Sequence, residues 1–204
     1  MSEQYFEREP ACASSPADCT FDYRGEQLHL TTDAGVFSRG EVDYGTKTLL
    51  NALPELSGRV LDLGCGYGVV GVSVGKKYPV RVTMSDVNLR ALALAKRNAQ
   101  LNGVDAEALE SDGFEKLNGT FDFILTNPPI RAGKQVIYRL FKECAEHLSP
   151  SGALYIVIRK QQGAQSAVAY LGTLFSSVEA VAKKGGFWVL ECKGGRMDDG
   201  SHVL

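Results

Sequence analysis

Asn127-Pro128-Pro129-Ile130 is the part of this chain whose residue types and order are best suited to chemistry. A residue before proline is driven out of helical conformation, and two consecutive prolines remove two backbone donors. Asn127 should therefore stand extended at the end of the apolar run Phe121 to Thr126, with its carboxamide projecting. The carboxamide oxygen, with the Pro128 carbonyl beside it, is suited to accept hydrogen bonds from a planar NH2 group. Upstream, a second apolar run ends in the glycine-rich turn Asp62-Leu63-Gly64-Cys65-Gly66-Tyr67-Gly68. Gly64, Gly66 and Gly68 permit backbone conformations closed to other residues and let the main chain approach a small molecule.

Asp86, in Asp86-Val87-Asn88, follows Gly64 by 22 residues. At that distance a carboxylate can accept both hydroxyls of a ribose, although the position also suits the cap of the next helix. Further on, Ser111-Asp112-Gly113-Phe114 offers an acceptor, a backbone donor and an aromatic ring where an adenine edge would lie; the same residues are also ordinary turn composition. Asp62, Gly64, Gly66, Gly68, Asp86, Val87, Asp112, Gly113 and Asn127 are thus the expected border of a cofactor containing adenosine. Asp62 inside the strand and the LDLGCGYG form of the turn favour S-adenosylmethionine over a dinucleotide. The acceptor of its methyl group would be a flat amine held by Asn127 and Pro128. Such an amine is a poor nucleophile, and neither group is a strong base, so catalysis should rest on orientation and polarisation.

Five cations lie close to these motifs: Arg131, Lys134 and Arg139 after the prolines, and Arg159 and Lys160 after the following strand. They suit phosphates, which would position a nucleic acid without reading its sequence, or simply a solvated face. Cys65 has no histidine near it in sequence and is expected to be a packing residue, while His147 fits a helix C-terminus.

Alternating patterns place these residues on a sheet. Period-two alternation in Phe21 to Arg24 and Gln27 to Leu30 predicts a hairpin across Gly25, and Tyr44 to Leu53 a short helix ended by Pro54. From Arg59 onward, short β-branched runs alternate with helical segments, which predicts a parallel sheet with helices on both faces. The expected strands are 59–63, 81–85, 106–110, 121–126 and 153–159; the expected helices are 69–77, 89–101, 135–148 and 164–174. Two last strands, 177–182 and 186–193, are separated by too few residues for a parallel crossover and must be antiparallel. The result is an α/β, three-layer, Rossmann-like fold with a seven-stranded, mainly parallel sheet whose final strand is antiparallel. Residues 1–20 read as an arm, 21–193 as the domain, and 194–204 as a flexible tail.

At 204 residues with 44% hydrophobic composition, the chain can bury one core, and one domain is expected. A net charge of −2 provides no global basic field, so any RNA contact must use a local patch. Five scattered cysteines without a CxxC pair argue against a disulfide framework or zinc site and for a reducing cytoplasm. No apolar run approaches the ~20 residues of a membrane span. No metal is expected, and the molecule should be a monomer or homodimer.

With these residues assembled, the chain resembles a class I S-adenosylmethionine-dependent methyltransferase, and more narrowly the small-domain group related to the bacterial guanine-N2 methyltransferases of small-subunit ribosomal RNA. The likeness runs from about Phe21 to Lys193. It is carried by Asp33-Ala34-Gly35-Val36-Phe37-Ser38 with Asp43-Tyr44-Gly45-Thr46, by the glycine turn, by Asp86-Val87-Asn88, and by Thr126 through Lys134. The resemblance implies that Gly64, Gly66, Asp86, Asp112 and Asn127 border the cofactor, that Asn127 addresses the target amine, and that Gly35 to Thr46 covers the site. Phe37, Ile130, Arg131 and Lys134 would meet the substrate. Many amine methyltransferases carry an aromatic residue where this chain has Ile130, and longer relatives carry a degenerate N-terminal copy of the domain that this chain lacks room for. Guanine N2 of ribosomal RNA is the leading substrate; a protein glutamine amide, adenine N6, or a non-catalytic role in assembling an RNA particle are the alternatives.

Overall fold

The computed structural model describes residues 8–195 of the chain. An antiparallel hairpin, β1 (Ala17–Tyr23) and β2 (Glu26–Thr32), precedes helix α1 (Tyr44–Ala52). The main body then alternates β3 (Gly58–Leu63), α2 (Val69–Lys77), β4 (Val80–Asp86), α3 (Leu89–Leu101), β5 (Ala106–Glu110), β6 (Phe121–Thr126), α4 (Lys134–Glu146), β7 (Leu148–Arg159) and α5 (Ala164–Leu174). It closes with β8 (Phe175–Lys184) and β9 (Phe187–Gly195). The seven strands of the main sheet lie in the order β5-β4-β3-β6-β7-β9-β8, with β9 antiparallel to both of its neighbours. This is the expected fold class.

Sheet order decides where a ligand can sit. The chain runs outward from β3 through β4 to β5, then returns to lay β6 on the other side of β3. Such a reversal opens a crevice beyond the carboxyl ends of the two central strands. The glycine turn leaves β3 at this point and Asn127 leaves β6, and the Thr126 hydroxyl donates to the Leu63 carbonyl at 2.8 Å, tying the two exits together. One face of the sheet packs on α1, α2, α3 and the hairpin through residues such as Val60, Val72, Met84, Ala95 and Tyr155; the other packs on α4 and α5 through Ile124, Phe141, Leu154 and Leu171. Both faces are apolar because a parallel sheet is covered on both sides.

The hairpin is fastened by two asparagines of α3 and its C-terminal cap. Asn98 accepts from the Thr31 amide at 2.8 Å and donates to the Thr31 carbonyl at 2.9 Å, and Asn102 does the same for His29 at 3.0 and 2.8 Å. Each carboxamide imitates one peptide of a neighbouring strand, and Asn98 also donates to the Tyr67 carbonyl in the glycine turn at 2.8 Å.

Several boundaries differ from the expectations. Strand β1 begins at Ala17, four residues before Phe21, and continues the same alternation through Ala17 and Cys19, whose small side chains give a faint signal. The arm expected over 1–20 therefore contributes four residues to the hairpin. Residues 1–7 and 196–204 fall outside the described residues; Gly194 and Gly195, assigned to the tail, belong to β9, where Gly195 faces Phe175. Strand β7 starts at Leu148, expected to end a helix, because Leu148 pairs with Phe121 before a register irregularity restores pairing at Ala153.

Candidate active site

A cavity of about 580 Å3 occupies the crevice, within the range of about 300–1,000 Å3 usual for small-molecule sites. Its wall includes Asp62, Gly64, Gly66, Asp86, Val87, Asp112, Gly113, Asn127 and Pro128, so the residues expected around cofactor and amine converge on one space. Gly68 is the exception. A Cβ there would stand 2.9 Å from Ala95 Cβ and 3.0 Å from its Cα, so this glycine serves the close packing of α2 on α3. Gly64 and Gly66 have φ of +70° and +55°, and a Cβ on either would meet no atom within 4 Å, which leaves open space before the turn for a ligand.

The turn is held from β4. Gly64 and Cys65 amides donate to the Ser85 carbonyl at 2.8 and 2.9 Å, and the Gly66 amide donates to Asp86 Oδ2 at 2.8 Å. Asp86 Oδ1 accepts from the Asn88 amide at 2.9 Å, while Asn88 itself caps α3 by accepting from Ala91. The capping role weighed for Asp86 thus belongs to its neighbour. Each Asp86 oxygen has a backbone partner and lone-pair capacity for another donor, and burial pushes its carboxyl up. Asp62 is wholly buried behind the turn. Burial pushes it up to about 7, against the pull of the Gly71 amide, which donates at 2.8 Å, and with a contribution from the charge on Asp86.

At the other end of the cavity, the Asn127 carboxamide donates from Nδ2 to Thr46 Oγ1 at 3.1 Å. This fixes the amide so that Oδ1 is the atom left for an incoming donor. Thr46 is itself set by Asp43, whose carboxylate caps α1 by accepting from the Gly45 and Thr46 amides. The Pro128 carbonyl accepts from the Ile130 amide at 2.8 Å across Pro129, whose φ of −74° and ψ of 77° form an inverse γ-turn, so one of its lone pairs is engaged internally. Val36, Phe37, Asp43 and Thr46 all line the cavity, as expected of a covering segment from Gly35 to Thr46, and Phe37 is 37% exposed.

Other expected residues lie elsewhere. Ile130, Arg131 and Lys134 sit just beyond the wall, on the 3-10 turn Ile130–Ala132 and the start of α4; Ile130 packs into the second core, and Lys134 lies 5.0 Å over the Tyr138 ring. Phe114 turns away from the cavity and stacks on His147 at 4.4 Å. Arg139 does line the cavity but is held by Asp112 at 2.5 Å and Glu143 at 3.2 Å, so it is not a free phosphate contact. Burial pushes the Cys65 thiol well up, consistent with packing.

Thr46 and Arg8 carry no signal of their role in the sequence. Thr46 lies within a string already singled out, but a threonine in a first helical turn is unremarkable by itself. Arg8 lines the cavity from the segment read as an arm; its carbonyl accepts from the Leu89 amide and its guanidinium pairs with Glu110 at 2.6 Å. Among the described residues, no group of three His, Cys, Asp or Glu is placed to hold a metal ion, and no helix is long and apolar enough to cross a membrane.

The family model described as methyltransferase small domain matches residues 27–191. A Bacillus subtilis (strain 168) protein named uncharacterized protein YbxB is 43% identical over 199 residues, covering 95% of this chain and 99% of that one. Ribosomal RNA small subunit methyltransferase C of Hahella chejuensis is 43% identical over 141 residues, 66% of this chain and 41% of that protein. Among solved structures, the T. thermophilus 16S rRNA N2 guanine methyltransferase (RsmC), in complex with AdoMet and guanosine, matches with a TM-score of 0.80 and 27% identity over 90% of this chain and 52% of that one. The chain thus spans roughly half the length of the named methyltransferases it matches. It belongs to the methyltransferase small domain family, and so to the S-adenosylmethionine-dependent methyltransferase class that its motifs resemble.

Proposed function

We propose that this domain transfers a methyl group to the N2 amine of an unpaired guanine in RNA, with ribosomal RNA as the substrate class. The observation that carries this reading is the Asn127–Thr46 hydrogen bond, which leaves the carboxamide oxygen to accept from a donor in the cavity that Asn127 lines together with the glycine turn. The names of two matched proteins, one an rRNA small subunit methyltransferase and one solved with AdoMet and guanosine, support the choice of base.

In this reading the Gly64–Gly66 backbone and Asp86 receive the ribose end of the cofactor, Val87, Asp112 and Gly113 its adenine, and Asp62 faces its charged amino-acid end. S-adenosylmethionine supplies an electrophilic methyl carbon on sulfur. Asn127 Oδ1 and the remaining lone pair of the Pro128 carbonyl accept from the two N–H bonds of the amine, which withdraws its electron pair from the ring and aims it across the cavity. Positioning of this kind is worth up to about 7–11 kcal/mol. The proton leaves to solvent after transfer. The catalytic unit is the body from the hairpin through β9, working where ribosomal RNA is found, in the cytoplasm.

Incubation with cellular RNA and labelled methyl donor, followed by digestion to nucleosides and mass analysis, should give N2-methylguanosine. A label found on adenosine or on protein would reject the choice of acceptor.

A further inference from the structure

We propose that the tip of the β8–β9 hairpin, with the start of α1, is a landing surface for the unpaired RNA strand next to the target guanine: Tyr44 stacks on a flanking base, and Arg159, Lys183 and Lys184 hold phosphates. This rests on the RNA reading above, extends it to Lys183 and Lys184, which neither the motifs nor the cavity single out, and gives Tyr44 and Arg159 a defined contact.

The surface is continuous with the reaction site. Thr46, bonded to Asn127, lies two residues from Tyr44, a residue 46% exposed whose ring packs 5.9 Å from Phe187 at the start of β9. Arg159, at the end of β7, faces Phe187 in register and lies 5.3 Å over its ring. Lys183 lies 4.3 Å over Trp188, and Lys184 pairs with Phe187 across the turn. Cations interleaved with aromatic rings are what a single-stranded nucleic acid needs, since any base can stack and any phosphate can pair.

The tip is rigid. Gly185 and Gly186, with φ of +56° and +80°, make a two-residue turn of the kind that matches strand twist, and the Gly186 carbonyl accepts from the Lys160 amide at 2.8 Å. A Cβ at Gly185 would run into the Tyr44 ring, so glycine is what allows the turn to press on that residue.

Charge points the same way. From Arg159 to Leu190 the chain has four cations and a single acid, Glu179, in a protein of net charge −2. The opposite rim of the cavity, by contrast, carries Glu110, Asp112 and Glu115, and its Lys116 and Arg139 are paired with acids. A polyanion entering the mouth is therefore drawn to the hairpin side. The strand must be unpaired because a guanine amine engaged in a base pair cannot reach Asn127.

The test uses the full chain and a fluorescent unpaired RNA oligonucleotide containing one guanine. Lys183→Glu with Lys184→Glu should weaken binding by at least about tenfold at low salt and reduce the slope of log affinity against log salt by about 1.4, at about 0.7 per phosphate contact. The KM for RNA should rise while kcat and S-adenosylmethionine affinity stay within about twofold. Tyr44→Ala should weaken RNA binding by about tenfold or more and Tyr44→Phe should leave it intact, as stacking requires. If wild type methylates RNA, and the lysine variant melts like wild type but keeps its affinity and salt slope, the landing surface is overturned and the RNA reading stands. If wild type neither binds nor methylates RNA, both fall.

Discussion

Asn127 Nδ2 reaches Thr46 Oγ1 across 3.1 Å, linking the end of β6 to the first turn of α1 and setting which edge of the carboxamide is left to accept a hydrogen bond. Without that bond the amide is free to rotate. Thr46→Val should lower kcat about tenfold, the scale of one lost hydrogen bond, with S-adenosylmethionine affinity within about twofold of wild type; Thr46→Ser should restore turnover. Single-turnover kinetics paired with calorimetry separates the two effects. Equal kcat in Thr46→Val would mean that the amide is oriented by something else.

Asn127→Ala removes the acceptor itself. Loss of a group that acts on the reacting centre typically costs about 100- to 1,000-fold in kcat. Cofactor binding should persist, because the glycine turn and Asp86 are untouched. Turnover near wild type would contradict the role given to Asn127.

In the proposed site, Asp62 should make cofactor binding depend on pH. With its carboxyl pushed up to about 7, it is largely protonated at pH 6 and must ionise to attract a cationic amino group. Affinity should climb between about pH 6 and 8 and level off above, and Asp62→Asn should bind more weakly at pH 8 with a flatter profile. Stability runs the opposite way. A carboxyl raised in the folded state favours folding fully below its unfolded value near 4, and that contribution is lost as pH rises to about 7. Without ligand, Asp62→Asn should therefore gain melting temperature relative to wild type at pH 8 more than at pH 5. Parallel profiles for the two proteins would show that another group titrates.

Glycines of the same turn should fail differently. Gly68→Ala combines φ of +86° with a Cβ pressed on the Ala95 backbone, so it should lose about 2–3 kcal/mol and about 5–10 °C in Tm. Gly64→Ala meets only backbone strain of about 1–2 kcal/mol, since nothing lies near its Cβ, but the new methyl occupies cavity space. Its main effect should be a weaker S-adenosylmethionine Kd. Thermal melts and titrations of both variants give the comparison.

Removing the Asn98 carboxamide strands three buried backbone groups, on Thr31 and Tyr67. Asn98→Ala should cost about 3 kcal/mol, visible as faster hydrogen exchange across β2. A loss below about 1 kcal/mol would show that the hairpin is held mainly by apolar contacts.

Much of this architecture is legible in the sequence because local signals and tertiary context agree. The glycine turn, the Asp86 strand end and the Asn-Pro-Pro exit each carry a backbone constraint visible in the residues themselves, and the sheet brings all three to one crevice. Contacts made by ordinary residues in ordinary elements are not legible. Asn98 and Thr46 look like neutral helix positions, and only packing reveals whom they touch. Phe114 reads as a ligand-facing ring until the adjacent helix end supplies His147 as a better stacking partner. Arg139 reads as a free cation until Asp112 and Glu143 claim it.

In the proposed reaction, the Thr126 hydroxyl bonded to the Leu63 carbonyl makes the gap between the two reacting partners a property of the sheet, where adjacent strands lie about 4.8 Å apart. Loops decide only what is admitted. A scaffold built this way can change its clientele by redecorating the rim, while the line along which carbon moves from sulfur to nitrogen stays as it was.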